Sequence, residues 1–277
     1  MQQEIITLLI ISTLFFASLS LFLFTLSLKY LLHPLFSMFI NTLFPLSLMK
    51  GTITTIIQET PTVRSLFITL DQAITFIPGQ FLMVCKPDPS RIIKRSYSIA
   101  TPPSHSRDVQ ITLNITPKGE VSGWLYNQKI GNTLDIEGIH GLFTLDTKNK
   151  DIIFIAGGTG IVPFMSMIRH LTEHHYPHHI TLLYSAKTPD EIIFKKALDA
   201  LARHNKNLRV LYTITQHAPT WNGHRGRITS TFLTQVLHTF THKDYYMCGS
   251  PAFVNHIVTI LLQHDVLKED IKLERWE

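Results

Sequence analysis

The stretch from Asp151 to Pro163, which reads DIIFIAGGTGIVP, constrains the fold of this chain more than any other. It begins as an apolar run rich in isoleucine, which is typical of a buried parallel strand. It then breaks into a glycine loop, Gly157–Gly160, and Pro163 opens a helical pattern, since proline is tolerated in a helix's first turn. Glycines let a backbone approach a phosphate, and free N–H groups at a helix start favour anions. The pattern alone fits a nucleotide loop or an ordinary α/β turn. The residues it nominates for a nucleotide are Gly157, Gly158, Thr159, Gly160 and Pro163.

Strand-like and helix-like runs alternate after Lys150. Predicted strands cover Asp151–Ala156, His179–Ser185, Arg209–Thr215 and Asp244–Cys248, and predicted helices cover Val162–Glu173, Glu191–His204, Ser230–Thr239 and Pro251–Gln263. This alternation predicts a doubly wound parallel sheet with right-handed crossovers. Ligands of such sheets bind outside the carboxyl ends of the strands. One crevice is therefore expected to gather Thr159, Ser185, Lys187, Thr215 and Cys248.

The region before Lys150 has a different texture, with short β-branched runs separated by turn residues. The runs are Thr52–Gln58, Val63–Leu70, Phe81–Cys85, Ser96–Ala100, Val109–Thr116 and Thr133–Gly138. This spacing predicts a small antiparallel β-barrel. The expected organisation is a membrane anchor and linker over residues 1–50, a barrel domain over 51–148 and a parallel-sheet domain over 149–277.

Four short motifs occur in a fixed order along the chain. They are Arg95-Ser96-Tyr97-Ser98, the segment Gly119-Glu-Val121-Ser122, the glycine loop, and Cys248-Gly249-Ser-Pro. Each tetrapeptide is weak by itself, but together they resemble the ferredoxin–NADP reductase superfamily over about residues 51–277. The resemblance implies an FAD-binding barrel followed by a domain that binds NADPH or NADH.

The resemblance also implies roles for the first two motifs. Arg95 would pair with the flavin pyrophosphate, Tyr97 would pack on the isoalloxazine ring, and Ser98 would reach flavin N5. Ser96, on the same face of the strand as Ser98, is also a candidate for binding the cofactor. Gly119, Val121 and Ser122 would lie at the FAD phosphates, with Ser122 as the helix N-cap. Without the other motifs, Arg95 and Tyr97 would be a surface arginine beside a core tyrosine, and Ser122 a plain cap.

The later motifs would hold the nicotinamide nucleotide. Cys248 and Gly249 would lie near the nicotinamide, where the cofactor carries the hydride chemistry and the protein positions it. Ser185, Lys187 and Arg227 are candidates for the nucleotide's phosphates, with a slight preference for NADPH, although Gln216 stands where NADP-binding relatives commonly have arginine. Glu274 is a weaker candidate for handling a proton. Trp276 would either stack on the flavin or seal the surface.

The N-terminus carries no charged residue from Ile5 to Leu28, which exceeds the roughly 20 apolar residues needed to cross a bilayer. We expect a retained transmembrane anchor, with a buried core helix or a signal peptide as the minority alternatives. Lys29, His33 and Lys50 follow the run and Glu4 precedes it, so the positive-inside bias places the catalytic domains in the cytoplasm. Residues 31–49 would lie on the membrane surface or form a second, broken span.

The composition argues against two kinds of binding partner, nucleic acids and metal ions. The net charge is +5 with only 16% charged residues and no basic run, so no nucleic-acid partner is expected. The two cysteines lack iron–sulfur or zinc spacing, and the histidines between His174 and His179 lack acidic partners, so no metal site is expected.

Three hypotheses follow. The first is a membrane-anchored flavoenzyme that passes electrons from NAD(P)H through FAD to a one-electron acceptor: a ferredoxin, a cytochrome, or a membrane desaturase or monooxygenase. The second is a reductase of free flavin or quinone. The third is a binding or scaffold protein that kept the fold without turnover.

Overall fold

The computed structural model describes residues 48–89, 91–115, 119–147 and 150–275. Leu48–Glu277 form one compact unit. Its first half is an antiparallel sheet with one short helix, α1 (Glu120–Tyr126). The strands of this sheet are β1 (Met49–Thr60), β2 (Val63–Leu70), β3 (Phe81–Lys86), β4 (Ile93–Ser98), β5 (Asp108–Asn114) and β6 (Thr133–His140).

The antiparallel sheet closes on itself as the predicted barrel. Its strand order is β4-β3-β6-β1-β2-β5, so β4 and β5 are the outer strands. Directly after β4, Ile99 forms an antiparallel bridge with Ile111 of β5, and the Ala100 N–H donates to the Gln110 carbonyl at 2.8 Å. We call Ile99, Ala100, Gln110 and Ile111 the seam. Closure pairs both outer edges where they meet, and inward apolar side chains fill the centre.

The second half is a parallel sheet covered by helices, as predicted. Its strands are β7 (Asp151–Gly157), β8 (Ile180–Ala186), β9 (Leu208–Ile214), β10 (His224–Arg225), β11 (Lys243–Gly249) and β12 (Ile271–Arg275). Its helices are α2 (Ile161–Glu173), α3 (Lys195–His204), α4 (Ser230–Leu237) and α5 (Pro251–Gln263). All neighbouring strands are parallel, in the order β10-β9-β8-β7-β11-β12.

The parallel sheet carries an apolar layer on each face. Phe154 of β7 packs with Phe164 of α2 and Leu198 of α3 on one face. Ile153 packs with Leu233 of α4 and Ile257 of α5 on the other. Because β8 lies on one side of β7 and β11 on the other, the chain changes direction at the carboxyl end of β7. Ligands of doubly wound sheets bind at such a switch point.

Three local predictions need correction. The two-residue β10 and the edge strand β12 were not predicted, because each is short and pairs with a single neighbouring strand. The helix expected from Glu191 begins instead at Lys195, after Phe194 adopts a left-handed φ of 60°. The apolar segment 31–49 was expected at the membrane, but Met49 already belongs to β1 and pairs with Ile136.

The predicted anchor, residues 5–28, lies outside the described residues, as does the rest of the chain before Leu48. Within the described part, none of the helices has the length and apolar character required to span a bilayer.

Substitution of Gly79 tests how closely the chain packs at this turn. Its φ is +103°, and a β-carbon there would lie 2.1 Å from the Phe143 carbonyl oxygen. Gly131 also has a positive φ, +91°, but has open space around it. We expect Gly131→Ala to lower the free energy of unfolding by about 1–2 kcal/mol through backbone strain. Gly79→Ala should lose a further ~2 kcal/mol through the backbone clash. Urea denaturation of the purified full chain measures both, and equal losses would contradict the packing described.

Candidate functional site

A cavity of about 480 Å³ lies between the barrel and the parallel sheet. Its walls come from β4, β5 and α1 of the barrel and from the start of α2. Eight residues nominated from the sequence line it: Arg95, Ser96, Tyr97, Ser98, Gly119, Val121, Ser122 and Thr159. Motifs separated by more than sixty residues in the chain therefore meet around one space.

Strand β4 supplies one wall of the cavity, and its side chains become less exposed from Arg95 to Ser98. Arg95 is exposed, and its Nη1 donates to the Lys94 carbonyl at 2.7 Å, so the guanidinium keeps donors that face outward. Tyr97 is half-buried, and burial raises the pKa of its phenol to about 12, against the opposing charge of Arg95. The phenol is therefore neutral at physiological pH and offers an aromatic face.

Ser98 carries the most informative atom in the cavity. The residue is 3% exposed, and its Oγ has no hydrogen-bond partner among the described residues. A buried hydroxyl without a partner costs about 1–3 kcal/mol, so such atoms are rare unless they serve a ligand. This hydroxyl at the cavity wall fits a bound group with a polar edge, as the isoalloxazine of FAD has.

Helix α1 corrects the role given to Ser122. The helix starts at Glu120 with Gly119 as its N-cap, and no side chain caps it. Ser122 lies within the first turn, where its Oγ donates to the Gly119 carbonyl at 3.3 Å. Ser122 lines the cavity as predicted, but the prediction that it caps the helix is wrong.

The glycine loop reaches the cavity through Thr159, whereas its three glycines, Gly157, Gly158 and Gly160, do not line it. Gly158 has a φ of +55°, which a glycine adopts without strain. A β-carbon on Gly160 would lie 2.1 Å from the Cys248 carbonyl oxygen, so only glycine lets the loop lie this close to β11. The Tyr184 hydroxyl donates to the Gly158 carbonyl at 3.0 Å. Pro163 is buried in the first turn of α2 and is not part of the cavity wall.

Cys248 and Glu274 form a pair beside the glycine loop. They lie opposite each other on β11 and β12, and the thiol donates to Glu274 Oε2 at 3.7 Å. Burial raises the pKa of the Glu274 carboxyl, and the thiol's hydrogen bond partly opposes that rise. Gly249 follows Cys248, and the ring of Phe253 lies 2.9 Å from where a β-carbon on Gly249 would be. None of the three lines the cavity.

The predicted phosphate contacts lie at the carboxyl ends of their strands. Ser185 is half-buried near the end of β8, and Lys187 is exposed just after it. The Gln216 N–H donates to the Lys187 carbonyl at 2.9 Å, so the segments after β8 and β9 are joined. Arg227 is exposed just after β10. These residues share one edge of the sheet and lie outside the cavity wall, and Trp276 lies outside the described residues.

Sequence reasoning missed the part of the wall formed by β5, namely Thr112, Leu113 and Asn114. These residues reach the cavity only because the barrel closes between Ile99 and Ile111. The sequence predicts a barrel, but no local pattern identifies β4 and β5 as the strands that meet when it closes.

His174, the first residue of the histidine-rich connection, packs against His170 in the last turn of α2, with ring centroids 4.1 Å apart. Across the four described ranges, no group of three or more His, Cys, Asp or Glu side chains is arranged to hold a metal ion.

Comparison with known proteins assigns both halves of the chain. Residues 50–145 match the family of oxidoreductase FAD-binding domains. Residues 154–259 match the family of oxidoreductase NAD-binding domains.

Two curated relatives share this region. The reductase component of phenol 2-monooxygenase from a Pseudomonas species is 28% identical over 82% of this chain. The glycine betaine monooxygenase reductase subunit of Pseudomonas aeruginosa is 31% identical over 76% of this chain. The chain spans 65% and 59% of the lengths of these two relatives.

Solved structures share the fold. The FAD/NAD-binding domain of a Vibrio cholerae nitric oxide dioxygenase superposes with a TM-score of 0.76 at 19% identity, covering 82% of this chain and 98% of that domain. A Neisseria gonorrhoeae ferredoxin NADP+ reductase with bound FAD and NADP superposes with a TM-score of 0.73 at 22% identity, covering 82% and 98%. The chain thus carries an oxidoreductase FAD-binding domain followed by an oxidoreductase NAD-binding domain, on a fold that these solved structures share.

Proposed function

We propose that this protein takes electrons from NAD(P)H and passes them through FAD to a one-electron acceptor protein. Supporting this, several curated relatives are named as reductase or electron-transfer components of oxygenases. An oxygenase component, a ferredoxin or a cytochrome are the acceptor classes that fit. The observation that carries the proposal is the cavity that has the unpartnered Ser98 hydroxyl in one wall and the start of the glycine loop's helix in another.

The residues around the cavity have distinct tasks in this scheme. The residues around the cavity would hold FAD, which would supply the redox chemistry: acceptance of a hydride from NAD(P)H and one-electron release to the acceptor. Arg95 offers outward guanidinium donors for a pyrophosphate, and neutral Tyr97 offers an aromatic face. Ser98 orients the ring edge through its free hydroxyl. The glycine loop brings the nucleotide close to that edge, since proximity supplies much of the rate.

The Cys248–Glu274 pair borders the region where the nicotinamide would lie. The thiol is buried and donates to the carboxylate, so it acts as a neutral, compact neighbour of the ring. The raised pKa of Glu274 makes it able to hold a proton nearer neutral pH than an ordinary glutamate. These roles of Cys248 and Glu274 follow from the position of Cys248 next to Gly160 and from the pairing of Glu274 with Cys248.

We further propose that residues 5–28 anchor the protein in a bilayer, with both cofactor domains in the cytoplasm. The support is the uncharged apolar run and the basic residues that follow it. The acceptor would then be associated with the same membrane. Within this proposal the chain before β1 is anchor and linker, the barrel domain from Met49 to residue 148 holds FAD, and residues 149–277 hold the nucleotide. Exposed Lys187 and Arg227 favour NADPH over NADH.

A visible absorption spectrum of the full chain purified in detergent tests the proposed function. We expect a bound-flavin spectrum that anaerobic NADPH bleaches at lower concentration than NADH. A colourless protein that reduces added free flavin with NADPH would instead support a free-flavin or quinone reductase. A colourless and inert protein would support a scaffold role.

Arg95 gives a prediction about FAD affinity. Arg95→Ala removes a charge-assisted contact to the pyrophosphate, which is worth about 1.5–3 kcal/mol, so the dissociation constant for FAD should rise about 10- to 100-fold. Arg91→Ala is the matched control, because Arg91 is exposed on the same segment and does not line the cavity. Fluorescence titration of the flavin-free protein measures both constants. If the two substitutions raise the dissociation constant for FAD equally, Arg95 does not contact the pyrophosphate.

Replacing Ser98 should have opposite effects on the stability of the flavin-free protein and on the rate of flavin reduction. Ser98→Ala should leave the unfolding free energy of the flavin-free protein unchanged or raise it by about 1 kcal/mol, because it removes an unpartnered buried hydroxyl. The same variant should reduce its flavin at least tenfold more slowly. Ser65→Ala is the control: Ser65 is fully buried and its Oγ bonds Glu59 and Thr112, so its loss should cost about 1–2 kcal/mol. Destabilisation by Ser98→Ala in the flavin-free protein would contradict this assignment.

A further inference from the structure

A second set of contacts joins the two cofactor domains away from the cavity. Helix α2 begins at Ile161, immediately after the glycine loop, and its later turns lie against the barrel seam. Ser166 is fully buried, and its Oγ donates to the Thr101 carbonyl at 2.7 Å. One turn on, Arg169 Nη1 donates to the Ala100 carbonyl and to Gln110 Oε1, each at 2.8 Å.

Arg169 therefore binds both sides of the barrel closure. Ala100 follows β4 and Gln110 belongs to β5, the two strands that the seam joins. Gln110 is itself 1% exposed, so its side-chain oxygen has little access to water and depends on the guanidinium. Burial lowers the pKa of Arg169 to about 10, which keeps it charged at neutral pH. A half-buried charge with two directional bonds restrains a helix in rotation and in translation, whereas apolar contacts are non-directional.

The positions of these residues relate the glycine loop to Ser98. Ser98, Ala100 and Thr101 are near neighbours along one extended segment, with Ala100 about 7 Å from Ser98 at about 3.3 Å per residue. Arg169 lies nine residues beyond Gly160 on a helix with a rise of about 1.5 Å per residue, hence about 14 Å away. A helix is stiff over that length, so a bond at Arg169 transmits position to the loop.

We propose that Arg169 and Ser166 are positioning residues that set the distance between the glycine loop and Ser98, and hence between nicotinamide and flavin. Neither residue lines the cavity, so each acts through the helix and the seam. The inference rests on the proposed function, because the distance matters only where a hydride passes from NAD(P)H to FAD. A displacement of about 1 Å in such a pair can lower a rate about 100-fold.

The test compares Arg169→Met with Arg64→Met. Arg64 makes the same pair of bonds, to a glutamine side-chain oxygen (Gln58 Oε1, 2.7 Å) and a backbone carbonyl (Tyr126, 2.9 Å), but entirely within the barrel. Stopped-flow reduction of each flavin-loaded full chain at saturating NADPH gives the rate. The long-wavelength charge-transfer absorbance, which requires stacked nicotinamide and flavin, reports their approach independently of the rate.

We expect Arg169→Met to keep its bound flavin and its affinity for NADPH within about threefold, while the reduction rate falls at least tenfold and the charge-transfer absorbance diminishes. Arg169→Lys should recover part of the rate, and Arg64→Met should stay within twofold of the unmodified chain. Ser166→Ala removes one neutral bond and should show the same pattern more weakly, which keeps the test available if Arg169→Met fails to fold. Equal rate losses in the two Met variants, or normal reduction by Arg169→Met, would overturn the proposal.

Hydrogen–deuterium exchange of the flavin-free chain separates this inference from the proposed function. Arg169→Met should speed amide exchange in residues 99–101 and 110–111, whereas Arg64→Met should leave them unchanged. A chain that shows this exchange pattern but binds no flavin would refute the proposed function and leave the mechanical coupling standing. Unchanged exchange in Arg169→Met would refute the coupling, whatever the protein binds.

Discussion

Closure of the barrel is the constraint on which the rest of the structure depends. A six-stranded antiparallel sheet left open would expose the outer edges of β4 and β5, and the bridge between Ile99 and Ile111 pairs these edges where they meet. The same closure brings β5 beside β4, so that Thr112, Leu113 and Asn114 complete a wall that β4 begins. It also creates the surface on which α2 is seated. The cavity, the seam and the contact between α2 and the barrel therefore all depend on the pairing of Ile99 with Ile111.

The hydrogen bonding of buried polar groups differs between the contact of α2 with the barrel and the cavity wall. At the seam, buried polar groups are paired: Ser166 with Thr101, and Arg169 with Ala100 and Gln110. A few residues away, Ser98 is equally buried and its hydroxyl has no partner among the described residues. Because an unpaired buried group costs stability, the contrast indicates that Ser98 is kept for an interaction made when the cofactor is bound.

Much of this organisation could be predicted from sequence, for identifiable reasons. The β-branched runs before Lys150 and the alternating runs after it predicted the barrel and the doubly wound sheet, and eight nominated residues line the cavity. What failed depended on long-range contacts. The β5 wall depends on which two strands of the predicted barrel meet, and β12 is a five-residue edge strand with one neighbour. Ser122 is not the N-cap because α1 starts at Glu120. In the sequence, nothing distinguishes Arg169 from an ordinary helical arginine, because its contacts with Ala100 and Gln110 form only in the folded chain.

In the proposed function, one cavity between barrel and sheet holds the flavin with its reactive edge at Ser98. A crystal structure of the full chain loaded with FAD measures this directly, as the distance from Ser98 Oγ to the nearest polar atom of the isoalloxazine ring. The account predicts a hydrogen-bond distance of about 2.7–3.2 Å, with Arg95 at the pyrophosphate and Tyr97 against the ring. A flavin bound elsewhere, or a Ser98 hydroxyl that remains unpartnered beside it, would contradict the account.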